Sequence, residues 1–167
     1  MSEPVSFERF DANLGIVYSS MASEQLGKDY WVVKKDFIYY LDDSKMSTVK
    51  VPRGYLTDGA TVPRAFWSLV PPWGKYGQAC VLHDYLCEYP FYDDGQHRVI
   101  IERKEVDQIF NEAMQILQVP ETTRRLMIGA VNTYRIVSRK RDATYNRHKA
   151  TLENQLRGHY MLNREWI

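Results

Sequence analysis

The strongest constraint on this chain is a change of hydrophobic period near residue 60. Before it, Val, Ile, Tyr, Phe and Trp crowd into short runs such as "YWVVKKDFIYYL" (30–41) and "STVKVPRGYLT" (47–57). β-branched and aromatic side chains suit a pleated, half-buried surface, so these runs predict strands. The first reads as a hairpin or one long bent strand around its polar "KKD". "VSFERF" and "GIVYSS" supply one or two further short strands. Beyond residue 62 the apolar residues recur at helical spacing: Val106, Ile109, Phe110, Ala113, Met114 and Leu117 form one stripe. Helices are expected near 75–87, 103–118 and 121–139. A short helix starts around Pro63, a polar fourth helix occupies about 143–157, and an irregular tail follows. "YPFYDDGQHRVII" (89–101) is a loop or hairpin turning at Asp-Gly.

Each apolar stripe needs a burial partner, so the expected fold is α+β. A small antiparallel β-sheet in the N-terminal third packs on a C-terminal bundle of three to four helices. With 167 residues, a single domain over 1–167 is the natural size. Its parts are β-rich to residue 60, a helical core over 61–140, and a polar C-terminal helix and tail over 141–167.

Net charge is +1, so the chain is not basic overall. Between Glu121 and Lys149, however, eight basic residues face only two acidic ones, Glu121 and Asp142. Such a run either solvates a helix face or meets phosphate; the first is commoner, and a nucleic-acid partner is not expected. Cys80 and Cys87, seven apart on one helix, would stand roughly 10 Å apart, too far for a disulfide. They read as buried thiols in a reducing compartment. No secretion signal and no membrane span is visible.

The stretch "ACVLHDYLCEY" (79–89) carries the chemistry. At about 100° per residue, His83 falls at the centre of the apolar stripe of its helix and Asp84 at the edge. A buried imidazole must satisfy both ring nitrogens. Asp107, on the border of the next helical stripe, is the partner packing would bring closest. A carboxylate there fixes the tautomer and frees the other nitrogen as base or ligand. In "GYLTDGATVPRAFW", Asp58 sits between turn-forming residues with Thr57, Thr61 and Arg64 close by. Asp58 is either a turn cap or a second carboxylate converging on His83 and Asp84. Asp58, His83 and Asp84 would suit a hard divalent ion (calcium, magnesium or zinc). His83, Asp84 and Asp107 would suit acid–base hydrolysis without one. No G-x-S-x-G and no glycine-rich phosphate loop occurs.

The segment "GYLTDGATVPRAFWSLVPPWGKYGQACVLHDYL" resembles the signature of a phage and prophage family, domain of unknown function thirteen-fifty-three. Gly54, Thr57, Asp58, Thr61, Pro63, Arg64, His83, Asp84 and Asp107 fill the places of that pattern, over roughly residues 50 to 135. The resemblance implies a phage setting, in the host cytoplasm or the virion, and brings no activity with it. More locally, "ACVLHDYLCEY" is similar to the His-Asp helix of phospholipases of the A-two type. In those enzymes the His activates water, its neighbouring Asp holds calcium, and a distant Asp orients the His. Cys80, His83, Asp84 and Asp107 fit by position. A glycine-rich calcium loop and the disulfide framework are missing, and Cys87 stands where that pattern has Tyr. An HD-type phosphohydrolase would need a His upstream of His83, and there is none.

Two functions follow. The first is a virion or assembly component with a protein partner in the phage particle or host. In it the five polar residues Asp58, Arg64, His83, Asp84 and Asp107 tie the core together, and the aromatics of "EYPFYDD" and "PPWGKY" touch the partner. The alternative is a small metal-dependent or acid–base hydrolase using His83, Asp84 and Asp107.

Overall fold

The computed structural model describes residues 9–59, 73–138 and 146–162. The class is α+β, with antiparallel strands mainly in the N-terminal part and long helices after them. The expected single sheet is in fact two. One joins β1 (Ile16–Tyr18), β2 (Trp31–Val33) and β5 (Leu56–Thr57) in the order β1-β2-β5. The other joins β3 (Phe37–Tyr40), β4 (Thr48–Val51), β6 (Phe91–Asp93) and β7 (Arg98–Ile100) in the order β3-β4-β6-β7. "YWVVKKDFIYYL" is therefore neither a hairpin nor one bent strand, because its halves belong to different sheets.

The crossing is fixed where two segments distant in sequence meet. The chain leaves the first sheet at Lys34–Asp36 and returns at Pro52–Tyr55, where Gly54 N–H bonds Val33 O and Tyr55 O accepts from Val33 N–H. The Asp36 carboxylate accepts from the Arg53 amide at 2.7 Å and pairs with Lys50 at 2.9 Å. A polar residue in the middle of an apolar run thus pins two crossovers together instead of making a turn.

The β-rich part also contains a helix that the strand reading missed, α1 (Ser20–Leu26). Ser19 caps its first turn by accepting from Ala22 N–H, and Gly27 ends it at φ +76°. Both signals were present in "SSMASEQLG". A seven-residue helix has too few apolar positions to show a period.

α2 (Gly77–Glu88), α3 (Arg103–Ile116) and α4 (Glu121–Ser138) fall where they are expected, whereas α5 (Arg147–Leu162) continues past residue 157, into the stretch expected to be an irregular tail. The segment 89–101 is a hairpin, with Phe91 opposite Ile100 and Asp93 opposite Arg98. Its four-residue turn is closed by Asp93 accepting from Gly95 N–H, and by Asp94 accepting from the amides of Gln96 and His97. The short helix after Pro63 and the tail beyond residue 162 lie outside the described residues.

α2 is the hub. Every residue from Gly77 to His83 is buried, between the four-stranded sheet (Phe37, Tyr39, Val49, Val51) and the apolar stripe of α3 (Val106, Phe110, Met114). Removing a Leu or Phe of this size from water contributes roughly 1.5–3 kcal/mol each, so α2 and α3 are held at fixed separation. A second, smaller cluster puts Leu152 of α5 against Ala22, Tyr30, Val32 and Leu56. The polar fourth helix is therefore part of the core packing. Of the aromatics expected to face a partner, Tyr76 is buried, and Trp73, Tyr89, Phe91 and Tyr92 are half-buried. Trp73 packs edge-on against Trp31 with centroids 5.3 Å apart. Among the described residues no helix is long and apolar enough to cross a membrane.

Candidate functional site

His83 is 4% exposed, as its phase predicts, in a part of α2 that is buried on every face. Its Nε2 lies 2.9 Å from Asp107 Oδ1, and its ring packs on Phe110 with centroids 4.5 Å apart. Because Asp107 can only accept when ionised, the short contact assigns the proton to Nε2 and leaves Nδ1 with its lone pair. Asp107 is itself held: its other oxygen accepts from Arg135 at 2.8 Å, and Arg103 stands 3.5 Å from Oδ1.

Burial and cations decide the charges. Burial pushes the His83 pKa below its ordinary 6.5, and Arg103 and Arg135 add to this against the pull of Asp107. Burial alone would raise Asp107; its bond to His83 and the two arginines outweigh that, so its carboxyl ionises below the usual 3.8. The pair at neutral pH is a neutral imidazole and a carboxylate.

One residue on, Asp84 is half-buried and accepts from Thr57 Oγ1–H at 2.8 Å. Thr57 Oγ1 in turn accepts from Gly59 N–H at 3.2 Å, so β5 and the turn after it locate the carboxyl. Burial, then the nearby charge of Asp58, push the Asp84 pKa well above 3.8 despite the Thr57 hydrogen bond and Lys149. Asp58 is the third member expected here. Its carboxylate pairs with Lys28, just past the end of α1; the residues after Gly59 whose amides it would cap lie outside the described residues.

Asp58, His83 and Asp84 do converge: all three line one cleft of about 250 Å³. Lys28, Tyr30, Glu88, Arg103, Arg135 and Lys149 line it as well. Among the described residues no group of three His, Cys, Asp or Glu is gathered closely enough to hold a metal ion. Asp107 contributes from behind His83. Thr61 and Arg64, the remaining members of the motif, lie outside the described residues.

Several residues of the site were not singled out from sequence. Lys149 is buried and pairs with Glu88 and, at 3.5 Å, with Glu153, and its ammonium lies 4.3 Å from the Tyr55 ring centre. Glu153 is fully buried, and its Oε1 accepts from Leu56 N–H at 3.0 Å. The basic run around α4 and α5 is thus partly internal, with Arg135 on Asp107 and Lys149 on two glutamates. The only sequence signal was the i, i+4 spacing of Lys149 and Glu153, which ordinarily marks a solvated pair.

Both cysteines are free, but they differ: Cys80 is buried, whereas Cys87 is half-buried and lines the cleft. Cys87 Sγ lies 3.7 Å from His83 Nδ1 and 3.8 Å from Nε2. Near-equal distances put the sulfur beside the ring rather than along the Nδ1 lone pair, so the thiol is a weak partner. Burial pushes its pKa up against the pull of Arg103, and Asp84, Asp107 and Glu88 add to the rise. A protonated thiol off the base's axis is not an activated nucleophile.

Fold and cleft together describe an α+β protein with a carboxylate-oriented histidine in a polar pocket. The chain belongs to the family described as "Protein of unknown function (DUF1353)", whose model matches residues 31–131. The matched stretch contains Thr57, His83, Asp84, Arg103 and Asp107, and stops short of Lys28, Arg135, Lys149 and Glu153. A relative, "Uncharacterized protein y4jT" of Sinorhizobium fredii (strain NBRC 101917 / NGR234), is 41% identical over 58 residues, which are 34% of this chain. That alignment spans only 17% of the relative's length. No solved structure matches the chain.

Proposed function

We propose that this protein is a small acid–base hydrolase in which His83 is the general base, Asp107 its orienting partner and Asp84 the general acid. The observation that carries the reading is the presence in one open cleft of two titratable neighbours whose surroundings push them to opposite roles. A neutral imidazole accepts a proton, while a carboxyl kept protonated donates one.

In this scheme His83 Nδ1 takes a proton from water as its oxygen bonds to the electrophilic carbon or phosphorus of an ester. Asp107 stabilises the imidazolium through Nε2–H. Asp84 passes its proton to the departing oxygen, and the proton on His83 returns to Asp84 as product leaves. No metal is needed for this balance. A metal-dependent version would need Asp84 ionised, with Asp58, His83 and Asp84 as the residues that would hold a divalent ion.

A second reading has its own support. His83 is almost sealed, and Asp107 is fully engaged by His83 and Arg135, which is how a buried polar network fixes a core. On that reading the protein is a phage virion or assembly component in the particle or host cytoplasm, and its surface carries the function.

A panel of p-nitrophenyl carboxylate, phosphomonoester and phosphodiester substrates separates the two. The hydrolase reading expects turnover of at least one ester, falling by roughly 10²–10⁴-fold in Asp84→Asn while the variant stays folded. Turnover absent from the whole panel, or unchanged in folded Asp84→Asn, leaves the structural reading.

A further inference from the structure

The cations of the cleft are not equivalent. Lys28 pairs with Asp58, Lys149 with Glu88 and Glu153, and Arg135 makes a 2.8 Å hydrogen bond to Asp107. Arg103 is different. Among the described residues its one ion-pair partner is Asp107, at 3.5 Å, and Asp107 is already committed to His83 and Arg135.

Arg103 Nε is buried and makes no hydrogen bond, while the side chain as a whole is 25% exposed and lines the cleft. A guanidinium carries five N–H donors in a planar fork. Nε faces Asp107 and is closed to the cleft, so the fork can meet a ligand only through its other N–H groups, on the exposed part of the side chain. Arg103 does not serve the start of its own helix either. There the amide ends are closed by a capping box, in which Glu102 accepts from the N3 amide and Glu105 accepts from Glu102 N–H.

We infer that Arg103 is the recognition residue for an anionic oxyacid group, phosphate or carboxylate, on the molecule that enters this cleft. The fork of Arg103 matches two oxygens of such a group, which a lysine in its place would not do. The second arginine, Arg135, lines the same cleft and adds positive potential without surrendering Asp107. The inference rests on the hydrolase reading only for calling that molecule a substrate; binding is independent of turnover.

The test is direct titration of the full chain with inorganic phosphate and, separately, acetate, followed by calorimetry. Asp84→Asn is titrated alongside, so that binding is read without any reaction. We expect one of the two anions to bind, and Arg103→Gln to weaken it by roughly tenfold or more with little change in unfolding midpoint. Arg103→Lys should recover only part of the affinity. Exchange of the exposed Lys104 for Gln should leave it unchanged. Preference for phosphate names a phosphoester ligand, and preference for acetate names a carboxylate-bearing one.

Binding of neither anion, or equal binding by folded Arg103→Gln, overturns the assignment. The two readings fail separately. Hydrolysis of a neutral ester without anion binding sinks Arg103 and spares His83, whereas anion binding without hydrolysis does the reverse.

Discussion

His83 Nε2 and Asp107 Oδ1 meet at 2.9 Å across the packed faces of α2 and α3, 24 residues apart in the chain. Asp107 also holds Arg135 of α4 through its second oxygen, so one carboxylate joins three helices. Replacing it removes the counterion of an arginine and the acceptor of a buried imidazole together.

Asp107→Asn should therefore lower stability by about 1–3 kcal/mol at pH 7, read from urea unfolding. The pH dependence has a defined sign. The folded Asp107 pKa is depressed, so its contribution is present above the ordinary 3.8 and disappears as pH falls through the lower folded value. The gap between wild type and variant should close in that acid range. A gap of the same size at pH 2 and pH 7 would contradict the depressed carboxyl.

Asp84→Asn should behave in the opposite way. The folded Asp84 pKa is raised, so keeping it unionised, or ionising it in place, costs stability increasingly as pH rises above 3.8. Asparagine keeps an acceptor for Thr57 and has no such cost. Thermal unfolding should find the variant as stable as wild type or more so at pH 7, with the difference vanishing below pH 3.8. A variant that is clearly less stable at pH 7 would argue that Asp84 is an ionised structural partner.

On mild acidification His83 acts against Asp84, subtracting stability where Asp84 adds it. His83 has a lowered pKa in the fold, so the unfolded chain binds its proton first. Its contribution should be full above pH 6.5 and decline as pH falls from there towards the folded value. His83→Gln should remove that decline, although it starts from a lower level. An unchanged slope would place the titration elsewhere.

Lys149→Met strands a buried carboxylate, Glu153, and a half-buried one, Glu88. Glu88 and Glu153 both face the ammonium, and Glu153 is completely enclosed. Breaking such a pair from one side costs about 3–5 kcal/mol. Limited proteolysis should then cut within α5 before any other helix. Adding Glu153→Gln to the same chain should restore part of the loss, because it removes one orphaned charge.

Gly54→Ala tests the approach of α5 to the turn before β5. Gly54 sits at φ +83°, and a Cβ there would lie 2.6 Å from Arg157 Cγ and 3.3 Å from the Glu153 carbonyl. Arg157 can shift, but the backbone oxygen cannot move as freely, and the left-handed conformation is strained for alanine. A loss of roughly 1–3 kcal/mol is expected. Calorimetry showing an unchanged melting temperature would mean that α5 packs more loosely than these distances imply.

The sequence by itself determined the elements that repeat within one helix or hairpin. The stripes from Val106 to Leu117 and around His83 fixed α2 and α3 and put His83 inside. They also put Asp107 at the border where the two helices meet. Asp-Gly marked the hairpin turn before Arg98. These follow from period and phase, which are local properties. Only the tertiary structure decided which partners those faces met. It separated β2 from β3 into two sheets, because a carboxylate on Asp36 reaches an amide 17 residues away. It also turned Lys149 and Glu153, spaced like a surface pair, into buried charges whose acceptors and donors lie on β5 and α2. Arg103 reads in sequence as an ordinary first-turn residue. Its place in the cleft depends on α3 and α4 leaving Asp107 with more cations than it can satisfy. Spacing along a chain reports which side a residue faces; what waits on that side is set by segments far away in sequence.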